Sequence, residues 1–303
     1  MARARFSGIY IPIVTPFNQA NDFDAQTMAA LIDRFIAAGV NGIAPCGTTG
    51  ESATLSYDEH RQVIEATVRA AAKRGAVIAG TGSNSTAEAI ALTQHAERVG
   101  ADAALVICPY YNRPTQQGLV EHFRAVADAT SLPMIMYNIP KRTGVNMEAA
   151  TTIELSRVPN IVGVKEASGD LEQIMHIIAG TEDFTVLTGD DALLYPLGAL
   201  AAHGGIMAAA HIATEQWVKL WRHVEAGELP EARKLHYHLL PLVKALFYET
   251  NPTPVKAALE MLGIPVGNPR SPLLPATEGC RQALTRELGR LGLLPGGGRE
   301  SGA

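Results

Sequence analysis

Cysteine is scarce in this sequence, three in 303 residues, and Cys46, Cys108 and Cys280 stand far apart with no CxxC pair. That spacing excludes a disulfide framework and sets the expectation of a reducing, cytoplasmic home. Positive charge is not in excess: 25 lysines and arginines face 30 acidic residues, for a formal net charge of -5. The electrostatic footprint of a nucleic-acid binder is therefore missing. No run approaches ~18 consecutive apolar residues, so no membrane span is expected. The opening MARARFSGIYIPIVTPF has two arginines ahead of a short apolar run. Pro12 interrupts that run, and acidic NQANDFD follows without a small-residue cleavage site, so it does not read as a signal peptide.

Metal-ligand spacing is also lacking. There are nine histidines but no HxxxH or HExxH pair, and His236 and His238, two apart in a helical segment, face different directions. His203 and His211 read as hydrogen-bonded structural histidines. No metal site is expected. A dinucleotide fingerprint is absent as well: GTGSNS (Gly80 to Ser85) has Ser85 where the third glycine belongs and follows the third strand candidate, not the first.

What is present is the composition of an ordinary globular protein, 47% hydrophobic and 18% charged, enough to bury a large core. Short apolar runs alternate with amphipathic segments: GIYIPIV (Gly8 to Val14), VNGIAPC (Val40 to Cys46), AVIAGTG (Ala76 to Gly82), DAALVICP (Asp102 to Pro109), PMIMYNIP (Pro133 to Pro140), IVGVKEA (Ile161 to Ala167), FTVLTGDD (Phe184 to Asp191) and GGIMAAA (Gly204 to Ala210). Apolar runs between helices imply parallel strands buried on both faces. Eight of them predict an α/β fold, a (β/α)8 TIM barrel over residues 1–227. From about Glu228 the pattern is helical only, which predicts a C-terminal helical appendage over 228–294 packed on the barrel. PGGGRESGA, 295–303, reads as a disordered tail.

In such a barrel, functional residues gather at the C-terminal ends of the strands. Lys165 ends the sixth run and interrupts an apolar stretch with an ammonium group. Burial of an amine disfavours its charged form, and a neutral amine can attack a ketone to form a Schiff base. Tyr137 and Asn138 end the fifth run, Tyr110 and Tyr111 follow the fourth, and the loop GTTGES (Gly47 to Ser52) follows the second. A Schiff-base lysine needs a proton relay, a role that suits a tyrosine hydrogen-bonded to hydroxyls. The GTTGES loop offers backbone N–H groups and two hydroxyls as a cradle for a small carboxylate. Arg142, in IPKRTG, brings a planar fork for a second one.

These residues, with the strings GTTGESATL, GTGSNSTAEAI, PYYNRPTQQGL, YNIPKRTG, GVKEASGD, TGDD and NPTPVK in order along nearly the whole chain, resemble the dihydrodipicolinate synthase and N-acetylneuraminate lyase family of pyruvate-dependent class I aldolases, and within it the synthases. The resemblance implies that Lys165 forms an imine with pyruvate, whose enamine attacks L-aspartate 4-semialdehyde. The product is 4-hydroxy-tetrahydrodipicolinate, on the route to diaminopimelate and lysine. Tyr137 is implied as the central proton relay, linked through Thr48 to Tyr111 from a neighbouring subunit. Thr48 and Thr49 are implied to hold the pyruvate carboxylate and Arg142 that of the semialdehyde, with Gly189 and Ile206 completing the substrate site. It further implies a homotetramer built from two tight dimers, no cofactor, and feedback by L-lysine at Ser52, Ala53, His60, Asn84, Glu88 and Tyr110.

The chain departs from the family pattern around its eighth strand, where Met207 stands in place of a serine and His211 in place of an asparagine. Near the barrel mouth these changes would reshape the pocket for the second substrate. They favour, as an alternative, another pyruvate-dependent aldolase or a 2-keto-3-deoxy sugar acid dehydratase or lyase. A catalytically silent lysine-binding relative is a further alternative, against which the full set of reactive residues argues.

Overall fold

Regularly spaced apolar residues build the helices and polar caps start them. In Ala25–Ala37, Met28, Leu31, Ile32 and Phe35 form one buried stripe, and the Asp24 carboxylate accepts from the Gln26 and Thr27 N–H groups. Ser56 and Glu59 form a capping box ahead of Tyr57–Ala71. Ser85, Thr115 and Asp170 cap Thr86–Val99, Gln116–Asp128 and Leu171–Gly180 by accepting from the N–H groups of Glu88, Gly118 and Gln173.

The computed structural model describes residues 6–294; the segment 295–303, expected to be a disordered tail, lies outside them. Among the described residues, β1 (Gly8–Ile11), β2 (Gly42–Ile43), β3 (Ala76–Gly80), β4 (Ala103–Ile107), β5 (Met134–Asn138), β6 (Ile161–Glu166), β7 (Thr185–Thr188) and β8 (Gly204–Ile206) pair in sequence order into a closed parallel barrel. Each strand falls within its expected run and is shorter than it. The apolar text continues past β8 because the loop beyond it is itself buried, and Ala209–His211 is a 3-10 turn.

Strand periodicity divides the core in two. Ile9, Ile11, Met134 and Met136 pack outward against the helices. Tyr10, Ile78, Leu105, Ile135, Leu187 and Ile206 fill the barrel interior. After Thr214–Glu225 come the helices Leu229–Leu246, Thr253–Met261 and Glu278–Arg290, the expected helical region. It is stitched to the barrel's C-terminal end, where the Phe17 N–H donates to the Val266 carbonyl at 3.0 Å. Among the described residues, no helix is long and apolar enough to cross a membrane, and no group of three or more His, Cys, Asp or Glu is placed to hold a metal ion.

Candidate active site

β5 and β6 pair so that Tyr137 lies beside Lys165 and Asn138 beside Glu166. The two-residue period sends the first pair into the barrel and the second pair outward. Outside, the Asn138 side chain donates to both Glu166 oxygens at 3.2 and 3.0 Å, and the Ser168 N–H donates to Glu166 Oε1 at 2.6 Å. Burial pushes the Glu166 carboxyl up, against these hydrogen bonds. Inside, Lys165 is 5% exposed and its Nζ lies 4.2 Å from the centre of the Tyr137 ring. It makes no ion pair among the described residues. Room for its stem comes from Gly189, where an added Cβ would stand 2.8 Å from Lys165 Cε.

Tyr137 also lines a cavity of about 640 Å³, together with Gly47, Thr48, Ile107, Tyr110 and Arg142 among others. The GTTGES loop folds into its wall as a tight turn: the Glu51 N–H donates to the Thr48 carbonyl at 3.1 Å and the Ser52 N–H to the Gly47 carbonyl at 3.3 Å. Thr49 is buried, and its Oγ1 accepts from the Asn251 side chain at 2.9 Å. Arg142 is exposed at the mouth and donates to the Asn251 carbonyl at 3.1 Å. Ile206 ends β8 within the same interior cluster as Tyr137.

The Tyr137–Thr48–Tyr111 relay is not formed within one chain. Tyr111 sits at φ 71°, an uncommon conformation for a bulky residue, and is 90% exposed. Its ring projects into solvent rather than over its own barrel. Of the residues expected to bind lysine, Ser52, Ala53, His60, Glu88 and Tyr110 line the same cavity. Asn84 does not, and its carbonyl accepts from Asn112 at 2.9 Å. Glu88 accepts from the Tyr57 hydroxyl and from Ser83 Oγ at 2.7 Å, and these bonds, that of Tyr57 foremost, hold its carboxyl below its ordinary value. His60 Nε2 bonds the Gly80 carbonyl at 2.7 Å, and burial lowers its pKa.

The expectation that the eighth-strand changes reshape the pocket is not met. Met207 is fully buried in the outer core, because Ile206 points inward and the next residue must point out. His211 is structural: the Val14 N–H donates to its Nε2 at 3.1 Å and its Nδ1 bonds the Ala208 carbonyl at 2.8 Å.

Sequence reasoning missed Asn251, which ties Thr49 to Arg142, and the ion pair of Lys256 with Glu51 at 2.6 Å, whose side chains are 1% and 2% exposed. Lys256 carries the same signal as Lys165, a charge within an apolar stretch, PTPVKAAL.

Residues 5–291 match the Dihydrodipicolinate synthetase family. The chain belongs to that family. A 4-hydroxy-tetrahydrodipicolinate synthase of Syntrophus aciditrophicus is 49% identical over 290 residues, covering 95% of this chain and 99% of the relative. Among solved structures, the dihydrodipicolinate synthase of Cyanidioschyzon merolae with lysine bound is 42% identical, with TM-score 0.93 and coverage of 95% of this chain and 99% of that one. The chloride-inhibited dihydrodipicolinate synthase of Acinetobacter baumannii complexed with pyruvate is also 42% identical, with TM-score 0.92 and the same coverage. Synthases of this family thus share both the barrel and its helical extension with this chain.

Proposed function

We propose that the protein is a lyase-class 4-hydroxy-tetrahydrodipicolinate synthase of lysine and diaminopimelate biosynthesis that works through an imine on Lys165. The observation that carries this reading is a buried lysine whose amine lies 4.2 Å from the centre of the Tyr137 ring, and that tyrosine lines a cavity of about 640 Å³. The amine of Lys165 attacks the ketone carbon of pyruvate, and loss of water from the carbinolamine gives the imine. Loss of a methyl proton gives the enamine, which forms the carbon–carbon bond to the aldehyde of L-aspartate 4-semialdehyde. Attack by the substrate's own amine on the imine carbon closes the ring and expels Lys165.

Tyr137 moves the protons of carbinolamine formation and dehydration. Thr48 and Thr49 hold the pyruvate carboxylate, Arg142 takes that of the semialdehyde, and Gly189 and Ile206 complete the substrate site. Tyr111 completes the relay across a subunit boundary, a role its exposed ring and left-handed backbone support. A relay across a boundary calls for at least a dimer, and the family resemblance extends it to a homotetramer of two tight dimers. L-Lysine is the effector, its ammonium held by Glu88 in the pocket that Ser52, Ala53, His60 and Tyr110 line. Free, buried cysteines support a cytoplasmic location.

Pyruvate-dependent consumption of aspartate semialdehyde, coupled to a reductase that oxidises NADPH and run with and without lysine, tests the reading. Turnover that lysine suppresses is expected. Turnover of 2-keto-3-deoxy sugar acids with none of the semialdehyde would overturn the choice of second substrate.

A further inference from the structure

The second buried lysine, Lys256, does not line the cavity yet is joined to the GTTGES loop that does. Its Nζ lies 2.6 Å from Glu51 Oε1, 4.2 Å from the centre of the Phe17 ring, and 3.3 Å from the Asn268 carbonyl. Arg270 also stacks on that ring, its guanidinium carbon 4.1 Å from the ring centre. Its backbone N–H donates to the other Glu51 oxygen at 2.8 Å. One carboxylate is thus gripped by two segments that follow the barrel.

Glu51 itself sits at φ 56°, a left-handed conformation that persists only where its surroundings over-determine it. In that conformation its N–H closes the turn on the Thr48 carbonyl. Two residues earlier, Thr49 Oγ1 accepts from Asn251, which precedes Lys256 on the same segment. The segment from Asn251 to Lys256 therefore fixes the loop at two points, Thr49 and Glu51.

We propose that Lys256 and Glu51 are positioning residues for substrate capture: their ion pair sets the turn that presents Thr48 and Thr49 to the pyruvate carboxylate. The inference rests on the proposed imine chemistry. A buried pair with a purely structural role loses stability when one partner is removed and regains it when both become neutral and well packed. A positioning pair has a second signature, because neutral replacements do not restore the turn.

The variants are Lys256→Met and the double Glu51→Gln/Lys256→Met. The readouts are the pyruvate concentration that half-saturates borohydride trapping on Lys165, kcat at saturating pyruvate, and melting temperature. A displacement of about 1 Å costs up to ~10²-fold, so half-saturation is expected to rise about tenfold or more in Lys256→Met, and by more than kcat falls. The double variant should recover melting temperature and keep the raised half-saturation. Half-saturation at the wild-type value in the folded double variant would overturn the proposal. Wild-type protein that traps no pyruvate would instead remove the imine reading.

Discussion

A methyl group added at Gly189 should disable Lys165 without touching its amine. The new Cβ of Gly189→Ala would stand 2.8 Å from Lys165 Cε, 2.8 Å from Ala167 Cβ and 3.2 Å from Lys165 Cγ. Carbon atoms rest at ~3.5–4.0 Å, so something must give by roughly 0.7 Å. Ala167 has no flexible stem to move, and the Gly189 N–H is tied to the Glu166 carbonyl at 2.8 Å, which leaves the lysine stem. Overpacking of this kind costs about 1–3 kcal/mol, or a fall of roughly 2–5 °C in Tm for a chain of this length. The larger effect is on chemistry: an amine displaced by about 1 Å should lose on the order of 10²-fold in rate. The assay is the rate of borohydride-trapped pyruvate adduct, followed by intact mass, beside a thermal melt. Trapping at the wild-type rate would refute the claim that Gly189 confines the lysine.

Tyr137→Phe should keep its fold, because its hydroxyl forms no hydrogen bond among the described residues, and should lower kcat by ~10²–10⁴-fold; a smaller loss would remove Tyr137 as the relay. Met207→Ser should cost about 2–5 kcal/mol by opening the outer core. It should leave the ratio of kcat/KM for aspartate semialdehyde over a 2-keto-3-deoxy sugar acid unchanged, and a tilt toward the sugar acid would restore the alternative reading. His211 is held neutral by burial, with its pKa lowered to about 4. An unfolded histidine titrates at ~6.5, so the unfolded chain gains the proton first and stability falls as the pH drops from about 6.5 to about 4, by up to about 3 kcal/mol. His122, lowered to about 4 by burial, adds to the same loss. Urea melts of His211→Asn across this window should show a shallower loss than wild type, and an equal slope would contradict the assignment.

The barrel was legible because parallel strands covered on both faces must be written as apolar runs, and Lys165 because a charge in such a run needs a reason. The strand ends were not legible, since buried loops such as Met207 to Ala210 are as apolar as the strands they follow. Met207 could have been placed: with Ile206 facing the interior, a period of two turns the next side chain out. Asn251 could not, because its partner Thr49 is 202 positions away and no local pattern encodes that meeting. The role proposed for Tyr111 across a subunit boundary rests on the family resemblance, as nothing in PYYNRP distinguishes a ring bound for another subunit from one in solvent.

The most direct test of the account is peptide mapping of the protein after reduction with borohydride in the presence of pyruvate. The account predicts one reduced pyruvate adduct on the peptide containing Lys165 and none in Lys165→Ala. An adduct on another lysine, or equal labelling of the Lys165→Ala variant, would contradict it.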